Sequence, residues 1–235
     1  QSELININFT QANLLNASFK GAKIKNVNFS NANIKGANFE EATLIDCTFH
    51  NTSAENTNFT SAKFTKCDLR GGNFNYANLY SSVINDSDFC FTRLMYAFMK
   101  QVSATKTTMK GVNGRGSDLS FSKLTDVDLQ GSSFKYADFN SCTFANVKLS
   151  QSNLMGVEMK DANCKGVDLE GCNMEGADLT YASMEGANLK NAFLLEANLH
   201  GTNLSQANMR DSYLVDANIN KAITKGASLE NTILE

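Results

Sequence analysis

Apolar side chains recur at every fifth position from Leu4 to Leu234, and the frame never slips. The series opens with Leu4, Phe9, Leu14, Phe19, Ile24, Phe29, Ile34 and Phe39, and closes with Leu189, Leu194, Leu199, Leu204, Met209, Leu214 and Ile219. Two residues before each centre stands a small side chain, as at Ala12, Ala17, Ala22, Ala32 and Ala37, or later at Ala177, Ala182, Ala187 and Ala192. Asn or Asp is favoured one residue before the centre. The unit is A-[N/D]-[L/F]-x-x, and 47 such units fill the 235 residues. A period of five fits neither the 3.6 of a helix nor the 2 of a half-buried strand. It predicts a coiled chain with flat sides and regular corners, all-β in class.

The charges obey the same frame. All Asp, Glu, Lys and Arg residues fall outside the two positions that hold the centres and the small residues, as expected where unpaired charge cannot be buried. Both histidines and all six tyrosines also occupy outward positions. The chain has no proline, where average usage of about 5% would supply roughly a dozen. A fold that uses nearly every backbone N–H in ladders explains this absence. Cys47, Cys67, Cys142 and Cys172 sit in the small inward position, Cys164 replaces a centre, and Cys90 points outward. They read as small buried hydrophobes in a reducing, cytoplasmic compartment rather than as a disulfide or metal framework. The longest apolar run, Leu94 to Met99, is far below the ~20 residues of a membrane helix. Gln1 in place of Met, without a basic and apolar leader, reads as a segment excised from a longer chain.

The uninterrupted A-[N/D]-[L/F]-x-x series resembles the pentapeptide-repeat family over the whole chain. The resemblance implies a right-handed quadrilateral β-helix with one pentad per side and 20 residues per coil. The 235 residues would then form one solenoid of nearly twelve coils, a rod roughly 55 Å long at ~4.8 Å per coil. Cys47 and Cys67 would be stacked neighbours, but pairing them leaves the other four cysteines without partners. Between about Val83 and Gly116 the repeat is least regular, with Val83 and Phe98 in the usually polar position and Ala104 and Gly114 at centres. A bend or bulge is expected there, or a recognition feature around Arg93, Met95, Tyr96 and Phe98.

Residues 20 apart would share a face, so the surface divides into four strips. One, with Lys23, Lys63, Lys123 and Lys165, carries eight positive and five negative charges. Another, with Glu40, Glu41, Asp118, Asp138, Glu158, Asp161 and Asp178, carries four positive and seven negative. The net charge of −3 and the mixed faces predict no direct nucleic-acid binding. A third strip gathers apolar residues at outward positions: Tyr76, Met95, Tyr96, Tyr136, Met155, Phe193, Leu195, Tyr213, Val215 and Ile233. An exposed apolar patch predicts an interface, with a protein partner, another domain of the parent chain or a second copy.

Reactive constellations are missing from the sequence. It holds no H-E-x-x-H, phosphate loop, G-x-S-x-G or dinucleotide fingerprint, and His50 and His200 share no local motif with Cys or a carboxylate. Asn8-Phe9-Thr10 and Asn58-Phe59-Thr60 match a glycosylation pattern because the repeat is rich in Asn. We therefore expect no catalytic site, no metal and no cofactor. Two functions are expected from different classes. The first is a non-catalytic interaction scaffold in a bacterial multidomain protein or secreted effector. The second, implied by the family resemblance, is mimicry of DNA toward a type II topoisomerase such as gyrase, with the acidic strip as its surface.

Overall fold

The computed structural model describes residues 2–234. Eight three-residue strands stand 20 residues apart: β1 (Glu3–Ile5), β2 (Lys23–Lys25), β3 (Thr43–Ile45), β4 (Lys63–Thr65), β5 (Val83–Asn85), β6 (Ser103–Thr105), β7 (Lys123–Thr125) and β8 (Thr143–Ala145). They pair in parallel, in chain order, as one sheet. Single parallel bridges between residues i and i+20 build three more ladders, such as Asn8↔Asn28, Asn13↔Asn33 and Ser18↔Asn38. The chain is a four-sided β-solenoid. We number its faces by their first centres: face 1 from Leu4, face 2 from Phe9, face 3 from Leu14 and face 4 from Phe19.

The pentad explains each side. The centre and the small residue point inward, and from Ala22 to Leu214 these positions are buried almost without exception. Phenylalanines stack between coils on opposite faces, with centroids 4.6 Å apart for Phe19–Phe39 and 4.7 Å for Phe29–Phe49, and meet edge to face across the interior, as Phe29–Phe39 do at 5.8 Å. At most corners the centre carbonyl accepts a hydrogen bond from the amide three residues on, as Ala12 N–H donates to Phe9 O at 2.9 Å. The third residue of that turn has a positive φ, +60° at Gln11, as a type II turn requires. The Asn or Asp before the centre accepts from the amide two residues later, as Asn28 does from Ser30 at 2.9 Å. That side chain satisfies a donor the ladder leaves free. Ser, Thr and Cys are tolerated in the small position because each can donate to a carbonyl of the preceding coil, as Thr52 does to Phe29 O and Cys172 to Leu149 O.

The strand ladder on face 1 spans seven turns, fewer than the nearly twelve coils expected. Beyond β8 the same face continues through single bridges, Thr143↔Asn163, Asn163↔Ser183, Ser183↔Asn203 and Asn203↔Ile223. The corner changes at the same point. Up to Asn146 the positive-φ residue is Asn, Asp or Lys at 50–57°, and the corner closes no turn bond. From Gly166, at φ +67°, the amide of Val167 donates to Cys164 O and the ordinary turn returns. Gln206, at φ +59°, closes the same corner through Ala207 N–H and Leu204 O, so the turn does not depend on glycine.

Across 83–116 the 20-residue pairing continues through β5 and β6 and the neighbouring bridges, so the irregular sequence introduces no bulge. At Gly114 the Phe134 ring fills the vacant centre, and a Cβ there would clash with it.

Candidate functional surface

Five of the six thiols are held above their ordinary value, while a hydrogen bond with Cys67 lowers that of Cys47, which is itself buried. All six cysteines are free. Burial pushes Cys142 and Cys172 up to about 12, while burial and the neighbouring Asp88 raise Cys90 to about 11. Among the described residues no three of His, Cys, Asp and Glu are placed to hold a metal ion, and no helix is long and apolar enough to cross a membrane. The molecule's features lie on its outer faces.

The ten apolar residues expected on face 3 form two groups. In the first, Tyr76 and Tyr96 occupy left-handed corner positions and stack at 5.4 Å with an interplanar angle of 13°. Half-buried Met95 lies beside Tyr96 in the chain. Gly116 follows in the corner ladder, and the Tyr96 ring covers it, 2.6 Å from where a Cβ would stand. Tyr136 then lies under the Arg115 guanidinium at 5.5 Å and donates to Met155 Sδ at 3.9 Å. Gly156, Asn173, Glu175 and Gly176 interrupt the series. The second group holds Phe193 and Tyr213, stacked at 5.0 Å and 5°, with Ile233 bridged to Tyr213 and Leu195 and Val215 half-buried beside them.

The first group turns the corner onto face 4, which the sequence reading did not anticipate. Phe98 is 41% exposed and stacks on Tyr80 at 5.7 Å. At the far edge of that face, Lys100 Nζ stands 4.9 Å from the ring centroid of exposed Phe121. Tyr76, Tyr96, Phe98, Tyr80 and Phe121 thus form a band across the face within three coils. A sequence signal existed: Phe98 takes the place of the Asn or Asp that accepts the corner amide in the adjacent coils, at Asn78 and Asp118.

The seven expected acidic residues all belong to face 4 or its corners, but they do not stand in one row. Asp118, Asp138, Glu158 and Asp178 are successive rungs of one bridge ladder, directly following Phe98. Glu40 lies toward the other end, paired with Lys20 at 2.9 Å, while Glu41 and Asp161 occupy left-handed corners. Burial and the flanking Asp118 and Glu158 hold the Asp138 carboxyl above its ordinary value. Burial acts in the same direction on Asp178, but the Thr180 hydroxyl and amide and the Lys160 ammonium, 3.3 Å away, prevail and lower it. Lys160 also reaches Glu158 at 3.9 Å.

A four-sided solenoid built from five-residue sides defines a repeat protein of the β-helical class. The family comparisons agree. A model of the pentapeptide repeat region matches residues 2–66, and a model of eight pentapeptide repeats matches 100–131, 122–161, 158–194 and 194–235. The chain belongs to the pentapeptide-repeat family. Among solved structures it is similar to QnrB1, a plasmid-mediated fluoroquinolone resistance protein, at 15% identity and TM-score 0.51, over 96% of this chain and 92% of that one. HetL, a pentapeptide repeat protein involved in heterocyst differentiation regulation in the cyanobacterium Nostoc sp., shares 24% identity at TM-score 0.36, over 98% and 90% of the two chains. At these identities the likeness to QnrB1 is one of fold alone. No curated protein matches the sequence.

Proposed function

We propose that the chain is a non-catalytic scaffold for protein binding, a rigid solenoid that presents fixed side-chain rows to a partner. One observation carries this reading. At Phe98, Phe193 and Tyr213 a large exposed aromatic stands where other pentads keep the Asn or Asp that accepts a corner amide. Each replacement gives up a local hydrogen bond and exposes a ring, so the fold alone does not call for it. Contact with another surface is the use that exposed, clustered rings have. The ladders already fix the backbone that carries these rows, so little backbone entropy remains to be lost on binding.

The test is affinity capture from extracts of the source cells with the wild-type rod, a Tyr96→Glu/Phe98→Glu rod and a Tyr213→Glu/Val215→Glu rod. A protein held by the wild type and lost from either variant supports the reading. The same proteins on all three rods would refute it, as would none on any.

A second reading, occupation of a type II topoisomerase in place of DNA, is favoured by the Asp118-to-Asp178 ladder. It predicts that the rod inhibits gyrase supercoiling or protects gyrase from a quinolone, and that Asp118→Lys/Asp138→Lys/Asp178→Lys abolishes the effect. The scaffold reading predicts no effect of the rod in that assay.

A further inference from the structure

Resting on the scaffold reading, we propose that face 4 is a docking site for a basic amphipathic helix with an apolar anchor. The anchor seats on the aromatic band at Tyr96 and Phe98, and the helix's Lys or Arg residues descend the ladder Asp118, Asp138, Glu158, Asp178.

The aromatic band and the ladder are one continuous feature, because Phe98↔Asp118, Asp118↔Asp138, Asp138↔Glu158 and Glu158↔Asp178 are consecutive bridges. Exposed rings flank the ladder on both edges: Tyr136 at the corner shared with face 3, Phe121 and Tyr181 at the corner shared with face 1. The side between these rails is three extended residues wide, about 10 Å, close to the ~10–12 Å diameter of a helix with its side chains.

The pitch selects the same occupant. Ladder rungs are ~4.8 Å apart. A helix lying along the rod returns a side chain to the same line every ~5.4 Å and stays within reach of Lys or Arg over four rungs. An extended segment, with same-side residues ~6.8 Å apart, falls out of step after two.

The carboxylates are not required by the fold. Asn38, Asn58 and Asn198 accept the corner amide at 2.9, 3.0 and 3.2 Å, as Asp118, Asp138 and Asp178 do at 2.9, 2.8 and 3.0 Å. An amide would serve equally, whereas like charges stacked on adjacent rungs destabilise a sheet. Lys160 offsets the lower two rungs, and Lys100, engaged with Phe121, lies near the upper ones. The charge surplus is a local cost that a basic partner would relieve.

The test titrates the intact rod with a labelled 18-residue Ala/Gln-based peptide bearing Trp at position 3 and Lys at positions 7, 10, 14 and 17. A second peptide of the same composition scatters the lysines around the helix. The prediction is saturable binding of the first peptide, at least about tenfold weaker for the scattered one. It is weakened similarly by Asp118→Asn/Asp138→Asn/Glu158→Gln/Asp178→Asn and by Phe98→Asn. The neutralised rod should keep its circular dichroism spectrum, and Asp118→Asn/Asp138→Asn alone, which leaves the Lys160 pairs intact, should melt no lower than the wild type. Equal binding of both peptides, unchanged binding by the neutralised rod, or a lower melting temperature for Asp118→Asn/Asp138→Asn would each overturn the proposal. If peptide binding fails while capture of a partner still depends on Tyr213 and Val215, face 4 is the wrong site and the scaffold reading stands.

Discussion

The first eight coils and the last four solve the same packing problem differently. Up to Phe144 the interior holds all the inward phenylalanines, stacked coil on coil from Phe9 to Phe59, and face 1 is a sheet of three-residue strands with open corners. From Leu149 onward the centres are mainly Leu and Met, with Cys164 among them, and Gly166, Gly186 and Gly226 turn face 1 through hydrogen-bonded corners. The 20-residue pairing crosses the boundary unchanged, from Thr143↔Asn163 to Asn203↔Ile223. Ladder hydrogen bonds and inward small residues therefore set the coil, while the centre side chain and the corner residue are free to vary together. Surface rows inherit that freedom, which is why one ladder on face 4 can run Asn78, Phe98, Asp118, Asp138 without a break.

Removing a core ring should have the largest effect. Phe39 is fully buried between Phe19 at 4.6 Å and Phe59 at 4.9 Å, so Phe39→Ala should cost about 3–5 kcal/mol in urea unfolding. A comparable cost from Met184→Ala would mean that the aromatic stacks add little beyond buried volume, and the distinction between the two regions would weaken.

The corners come next. Gly116→Ala meets both a positive φ and the Tyr96 ring, and should cost about 2–4 kcal/mol. Gly166→Ala, with open space around the new Cβ, should cost about 1–2 kcal/mol from backbone strain alone. Equal costs would show that the aromatic cover on Gly116 is loose.

Acidity should separate the carboxylates more gently. Asp68, lowered chiefly by its hydrogen bond from Arg70, contributes stability that is present above the ordinary carboxylate value near 3.8 and is lost as pH falls through its own lower one. Asp138 is raised, so its contribution runs the other way: it is most favourable below 3.8 and is lost as pH rises through its folded value. Asp138→Asn should therefore raise the urea midpoint at pH 7, with the gain vanishing below about pH 4. A gain that persists in acid would come from something other than charge.

Much of the architecture is legible because the repeat is explicit: five-residue spacing exposes the inward positions, and the exclusion of charge from them confirms the assignment. The change of corner near Gly166 is not legible in that spacing, since both corner types keep the same length. The apolar residues were grouped by the face of their centre, yet a corner side chain such as Tyr96 belongs to two faces. Tyr80 meets Phe98 and Lys100 meets Phe121 only through contacts between coils. The acidic strip was read by face alone, from residues 20 apart, so Glu40 and Glu41 joined rungs from which several polar or aromatic positions divide them. Phe98 was visible as a departure from the repeat, and its partners on face 4 were not.

The claim that contact rather than folding selects these surface residues is tested most directly by Phe98→Asn, which restores the repeat's amide acceptor beside Lys100. Thermal melting of this variant, with titration of the Trp/Lys peptide, reads both consequences at once. The account predicts a melting temperature equal to or above the wild type and at least about tenfold weaker peptide binding. A lower melting temperature with undiminished binding would contradict it.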